Sequence, residues 1–238
     1  GASVIITGRN REKLDEAVAM LGRGVEGVQA EISNVADLDG LFTYVRETHG
    51  RLDLLVANAG AGEIDLQGNN QFNGVVTLQN SGNNAVSLND DKAGGVLQLA
   101  TPTLGNGLLT VTANHGIRRT GAFTLTGNAL FDGGSGVITL TEANDFQAGV
   151  AVQTTNSTAQ AVELTDSNAL QLNYSGQGSD ASAGTLIVNA SGAVTQAANT
   201  SLVSGRLDLT ASAGITQNAG SAIITGVANF TAGAGEID

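Results

Sequence analysis

The 238-residue chain has no Cys, no Trp and a single Pro, and its aromatic content is limited to 2 Tyr and 6 Phe. Disulfide scaffolds, thiolate metal sites and thiol nucleophiles are therefore excluded. So few rings also exclude a base-stacking platform, and any core must be packed from Val, Leu, Ile and Ala. Positive charge is scarce too: 10 Lys+Arg against 22 Asp+Glu give a net charge of −12. A surface of that sign repels phosphate backbones and anionic lipid, so nucleic acid is not an expected partner. No run approaches the roughly 20 apolar residues of a membrane span. The opening GASVIITGRN lacks the basic-then-apolar order of a signal peptide and has no initiating Met, so the chain reads as part of a longer one.

What is present changes character near residue 62. Residues 1–62 carry 6 Lys+Arg and 9 Asp+Glu, whereas residues 63–238 carry only 4 and 13. In the first part strand and helix periods alternate. An apolar run from Ala2 to Gly8 precedes a helix capped by Asn10, carrying Leu14, Ala17, Val18 and Leu21, and ended by Gly22. Val25–Ile32 is the next strand. Asn34 then caps a helix with Val35, Leu38, Leu41, Phe42 and Val45 on one face, stopped by Gly50, and Leu52–Ala57 is expected as a third, buried strand. That alternation is the pattern of a parallel sheet with crossover helices.

From residue 63 the helical period disappears, and short alternating runs such as Val75–Leu78, Leu109–Val111 and Val137–Leu140 recur between Gly, Asn, Ser and Thr clusters. The informative feature is repetition. GTLIVNASGAVTQ from Gly184 aligns without a gap on GRLDLTASAGITQ from Gly205, 21 residues later. Leu186 falls on Leu207, Val188 on Leu209, and Val194 on Ile215. AGAGEID occurs at Ala59–Asp65 and again at Ala232–Asp238. A unit of this length matches one coil of a parallel β-solenoid, with strands stacked about 4.8 Å apart, so this part would form about eight coils and a rod about 40 Å long. A β-sandwich and a disordered low-complexity tract are the alternatives. The expected fold class is therefore mainly β: a parallel β-helix over 63–238 preceded by a truncated α/β Rossmann-like fragment over 1–62.

ASVIITGRNREKLDEAVAMLG, VQAEISNVADLDGLF and HGRLDLLVANAG together resemble the short-chain dehydrogenase/reductase family. The resemblance implies that Arg9 meets the adenosine 2′-phosphate of NADP, that Glu31 and Ile32 flank the adenine, and that Asn58, Ala59 and Gly60 support the cofactor. It also locates the family's first strand and Gly-rich phosphate turn upstream of Gly1. The family's Tyr-x-x-x-Lys pair has no counterpart: Tyr44 is followed at that spacing by Thr48 and Tyr174 by Gly178. Gly22, Gly24 and Gly27 form a G-x-G-x-x-G that follows a helix instead of a strand, and so reads as a helix stop and turn. The expectation is no catalytic residue, no tightly held cofactor and at most residual NADP binding. With the first strand missing, the three remaining strands should be gapped or re-paired.

Residues 63–238, through NAVSLND, GLLTVTANHGI, TGAFTLTGNALFDGGSGVITLTEANDFQAG and LDLTASAGITQNAG, resemble the repeat regions of filamentous-haemagglutinin-type adhesins and autotransporters. That resemblance implies an extracellular or cell-surface parent, a host or cell-surface ligand, and export unfolded. The parent of residues 1–62 would be cytoplasmic. The two resemblances overlap on the letters after Val56. The chain thus reads as a structural, surface-adhesion repeat region, as a fragment of an NADP-dependent oxidoreductase, or as a gene join without a selected function. Open strand edges make edge-to-edge self-association a further expectation. His49 and His115 read as isolated surface or turn residues, Asp90 and Asp91 as solvated turn carboxylates, Arg118 and Arg119 as a small basic spot, and no metal site is expected.

Overall fold

The computed structural model describes every residue except 1–2, 32–33, 59–61 and 175–176. Strand β1 (Val4–Gly8), helix α1 (Arg11–Leu21) and strand β2 (Val25–Gln29) form a crossover unit in which β1 and β2 pair in parallel and Leu14 is buried. Helix α2 (Val35–His49) follows. Both helices begin where the sequence offers a cap: Asn10 accepts the Lys13 N–H and Asn34 the Ala36 N–H. The rest is β structure. In chain order it runs β3 (Leu54–Asn58), β4 (Ile64–Leu66), β5 (Val75–Asn80), β6 (Val86–Asp90), β7 (Leu97–Leu99), β8 (Thr103–Leu104), β9 (Leu109–Ala113), β10 (Ile117–Arg119), β11 (Thr124–Leu125), β12 (Ala129–Asp132) and β13 (Ile138–Phe146). It continues through β14 (Gly149–Gln153), β15 (Val162–Asp166), β16 (Leu170–Leu172), β17 (Ser179–Asp180), β18 (Thr185–Ala190), β19 (Val194–Gln196), β20 (Ser201–Ala211), β21 (Ile215–Gln217) and β22 (Ala222–Ala232).

These twenty strands form one parallel sheet wound as a solenoid. One column of strands climbs β3, β5, β7, β10, β13, β15, β18, β20, β22; a second climbs β4, β6, β9, β12, β14, β16, β19, β21. Leu97, Ile117, Ile138, Val162, Leu186 and Leu207 stand in register on successive coils, each fully buried. Each therefore covers its neighbour's apolar surface, and the column substitutes for a globular core. The gapless alignment seen in the sequence is the pairing register itself: Leu186 meets Leu207, Val188 meets Leu209, and Val194 meets Ile215.

Polar residues also point inward, each bonded to the backbone. Asp90 accepts the Phe72 N–H at 3.1 Å, Asn144 the Phe123 N–H at 3.0 Å and Asp166 the Phe146 N–H at 2.8 Å, and the three rings are buried. Each pair spans one coil and satisfies a buried donor that a corner would otherwise orphan. Asp90 is therefore a structural acceptor inside the rod, which corrects its reading as a solvated turn carboxylate. Arg119 departs from expectation as well. It is buried in register with Leu99, bonds Asn144 Oδ1 at 2.6 Å and the Gly121 carbonyl, and lies over the Phe123 ring at 4.9 Å. Burial pushes its pKa down.

The join between the two parts is continuous. β3, which carries the dehydrogenase-like LLVAN, is hydrogen-bonded to β5 from Leu54↔Val75 to Asn58↔Gln79 and so lies in the solenoid sheet, away from the β1–β2 pair. The three strands of the α/β part are both gapped and re-paired. α2 lies across the first coil, burying Leu38 in the solenoid core and setting Phe42 edge-on to Phe72 at 6.0 Å.

Candidate functional site

The residues assigned by resemblance are placed by the ends of β1, β2 and β3. Parallel pairing of Gly8 with Gln29 brings the two following segments together, and Arg9 Nη1 lies 3.9 Å from Glu31 Oε2. The Gln29 side chain donates to the Arg9 carbonyl at 2.9 Å, and the Glu31 N–H donates to Asp37 in the first turn of α2 at 2.9 Å. The Arg9 side chain is 82% exposed, so the ion pair is a weak, screened one. Asn58 closes β3 and is in register with Gln79, within the solenoid column. Ile32, Ala59 and Gly60 lie outside the described residues.

The turn glycines behave as their context requires. Gly22 and Gly24 adopt positive φ at the exit of α1, and a side chain at Gly27, within β2, would meet Val18 at 2.9 Å and Leu14 at 3.1 Å. These glycines close a helix onto a strand.

Between β1 and β3 lies a groove of about 810 Å³, floored by Leu38, Leu41, Phe42 and Val45 of α2 and walled by β1 and β3. Among the described pairings β1 bonds only to β2 and β3 only to β5. β3 departs from its expected burial: Leu55 and Ala57 pack against the solenoid core, whereas Leu54 and Val56, on the opposite face, are 57% and 52% exposed.

One cluster had no warning in the sequence. The Tyr44 hydroxyl donates to Glu26 Oε2 at 2.7 Å, His49 Nε2 lies 3.4 Å from the same oxygen, and the two rings meet edge-on at 6.2 Å. The hydrogen bond raises the Tyr44 pKa and lowers that of Glu26, so the phenol is held protonated and the carboxyl ionised. This chemistry ties α2 to β2 and works against use of Tyr44 as a proton-transfer phenol. His49 is thus a partly buried member of a cluster, which corrects its reading as isolated; Glu26 lies too far away in sequence for spacing to reveal it. His115 sits in a turn, bridging Gly134. Among the described residues no three His, Cys, Asp or Glu side chains are grouped to hold a metal ion.

Comparison with known proteins also divides the chain in two, but at a later point than its geometry does. Residues 1–82 match the short chain dehydrogenase family. Residues 80–153 and 197–238 match a family described as repeats of unknown function. Oxidoreductase asL5 of Sarocladium schorii is 50% identical over 62 residues, 26% of this chain and 25% of that protein. An uncharacterized oxidoreductase of Staphylococcus aureus strain USA300 is 34% identical over 61 residues, 25% of this chain and 26% of its own length. The chain thus spans about a quarter of the length of the curated relatives it matches. No solved structure matches it. The two matches overlap at residues 80–82, at and just past the end of β5, one coil beyond the strand that the solenoid has taken into its ladder.

Proposed function

We propose that the solenoid is a rigid display rod of the surface-adhesion type, exported with its parent, and that the dehydrogenase-like fragment serves it as an end cap instead of as an oxidoreductase. The observation that carries this reading is the unbroken column of buried aliphatic side chains, which makes the rod self-supporting. Outside it remain faces of Thr, Asn, Gln and Ser such as Thr139, Thr195 and Thr210. Such a scaffold presents polar groups at a fixed spacing of about 4.8 Å, suited to a repetitive host or cell-surface ligand. α2 supports the cap role, because Leu38 and Phe42 cover apolar surface that the first coil would expose.

Residual NADP binding would need Arg9 to face a 2′-phosphate, whereas in this chain Glu31 competes for the guanidinium. The test is a fluorescence titration with NADPH. No saturable binding is expected; micromolar binding abolished by Arg9→Ala would replace the cap reading with a cofactor-binding one.

A second reading, a gene join without a selected function, is supported by β3. One five-residue strand fits both the dehydrogenase-like pattern and the solenoid column, as sequence shared at a join would. Independent DNA that carries the coding region around Val56–Leu66 as one continuous stretch would exclude an assembly artefact.

A further inference from the structure

Asparagines recur at the corner that leads into the second column of strands, before β6, β9 and β12. Two of them fasten their corner to the next coil: Asn83 Oδ1 accepts the Asn106 N–H at 3.2 Å, and Asn128 Oδ1 accepts the Gly149 N–H at 2.9 Å. Asn106 stands between the two in the stack. It is exposed, and among the described residues its side chain has no hydrogen-bond partner. Glycine flanks it on both sides. After Asn106, the next bonded N–H among the described residues is that of Leu109, which donates to the Asn128 carbonyl at 3.0 Å. No hydrogen bond therefore restrains either the Asn106 carboxamide or the backbone nitrogen of Gly107 that follows it.

We infer that Asn106–Gly107 is a site of spontaneous deamidation, converting in the folded protein to isoaspartate and loosening the rod at the corner that enters β9. The Gly107 nitrogen bonds to Asn106 Cγ while its proton passes through water to the leaving amine; the Cγ–Nδ2 bond breaks and ammonia departs, leaving a cyclic imide. Water then opens the imide at either carbonyl, to aspartate or to isoaspartate. Glycine favours the attack because it has no side chain to obstruct it. The second Asn–Gly pair, Asn73–Gly74, is tied on both sides: the Phe72 N–H is held by Asp90 and the Val75 N–H by the Asp53 carbonyl, each at 3.1 Å.

The corner has no room for the product. Isoaspartate lengthens the backbone by one methylene and adds a negative charge. A Cβ at Gly107 would already lie 1.9 Å from the Asn84 carbonyl oxygen, and one at Gly127, on the next coil, 2.6 Å from that of Asn106. The extra atom must therefore displace the entry of β9 from the coils on either side.

The test is to hold the folded 238-residue chain at body temperature in mildly alkaline buffer and to follow every asparagine by peptide mapping and mass spectrometry, with isoaspartate read by enzymatic methyl transfer. Conversion at Asn106 should exceed that at Asn73 by about tenfold or more in the folded chain, because a locally unrestrained segment reacts almost as it would unfolded, and the two should converge in urea. Amides of β9 should then exchange faster in the aged protein. Asn106→Ser, which removes no bond made by the side chain, should fold with unchanged circular dichroism and keep its β9 protection on ageing. The inference is overturned if Asn106 stays intact, if Asn73 or another asparagine converts faster in the folded chain, if β9 exchange is unchanged after conversion, or if Asn106→Ser loses β9 protection as the parent does.

Discussion

Asp166 shows how a single inward side chain is balanced within the rod. Burial raises its pKa, opposed by the N–H groups of Phe146 and Asn168 and assisted by Asp145. A carboxyl whose folded pKa lies above its unfolded value favours folding while it is protonated, and that contribution is lost as pH rises through the folded value. At neutral pH Asp166 therefore costs stability. Asn144, in register with it, makes the same bond to a Phe N–H with a neutral amide. Asp166 Oδ1 also accepts the Asn168 N–H at 2.6 Å, a bond an amide nitrogen cannot replace, so the difference in melting temperature between Asp166→Asn and the parent should be more favourable at pH 7 than at about pH 3, where the aspartate is itself neutral in both states. Thermal denaturation followed by circular dichroism at the two pH values checks this; an equal difference at both would assign the effect to packing.

Among the elements, the coil corners are as constrained as the strands. Gly136 lies against the preceding corner so closely that an added Cβ would sit 2.0 Å from the His115 carbonyl carbon. Gly136→Ala must displace backbone, and the expected loss is about 1–3 kcal/mol or more in urea-induced unfolding. The corners also explain what sequence reading reached. The column through Leu186 and Leu207 was legible because those coils step by the same 21 residues. Ile138, Val162 and Leu186 follow at 24, since loops of varying length absorb the difference, and a fixed-period comparison misses them. The helices were legible because Asn10, Asn34, Gly22 and Gly50 mark their ends in adjacent sequence. Inward Asp90, Asp166 and Arg119 were not, because each has a partner in another coil, the Phe72 and Phe146 N–H groups and the Asn144 side chain respectively. Of the candidate site, the pairing of Arg9 with Glu31 follows from the parallel β1–β2 register. The groove beside β3 does not, since the apolar run Leu54–Ala57 fits a strand in either sheet.

Across the whole molecule, stability is expected to be uneven. The β1–α1–β2 unit rests on a two-stranded sheet and buries little beyond Leu14 and Ala30, whereas the coils from β9 to β20 share one continuous core. Two-stranded sheets are marginal by themselves, and opening free energies follow buried contact. Hydrogen exchange read by mass spectrometry should therefore show amides of β1 and β2 exchanging faster than those of β15 and β18 by roughly two or more orders of magnitude. Uniform protection would mean that the fragment and the rod unfold as one unit.

The Phe–Asx bonds between coils have a mechanical consequence. Ladder bonds and these staples both join one turn of the chain to the next, so tension applied between the two ends of the rod loads a single turn at a time. Such a tether would lengthen in small increments, each releasing one loop of polypeptide, while the turns still wound kept their shape and their outward pattern of hydroxyls and amides.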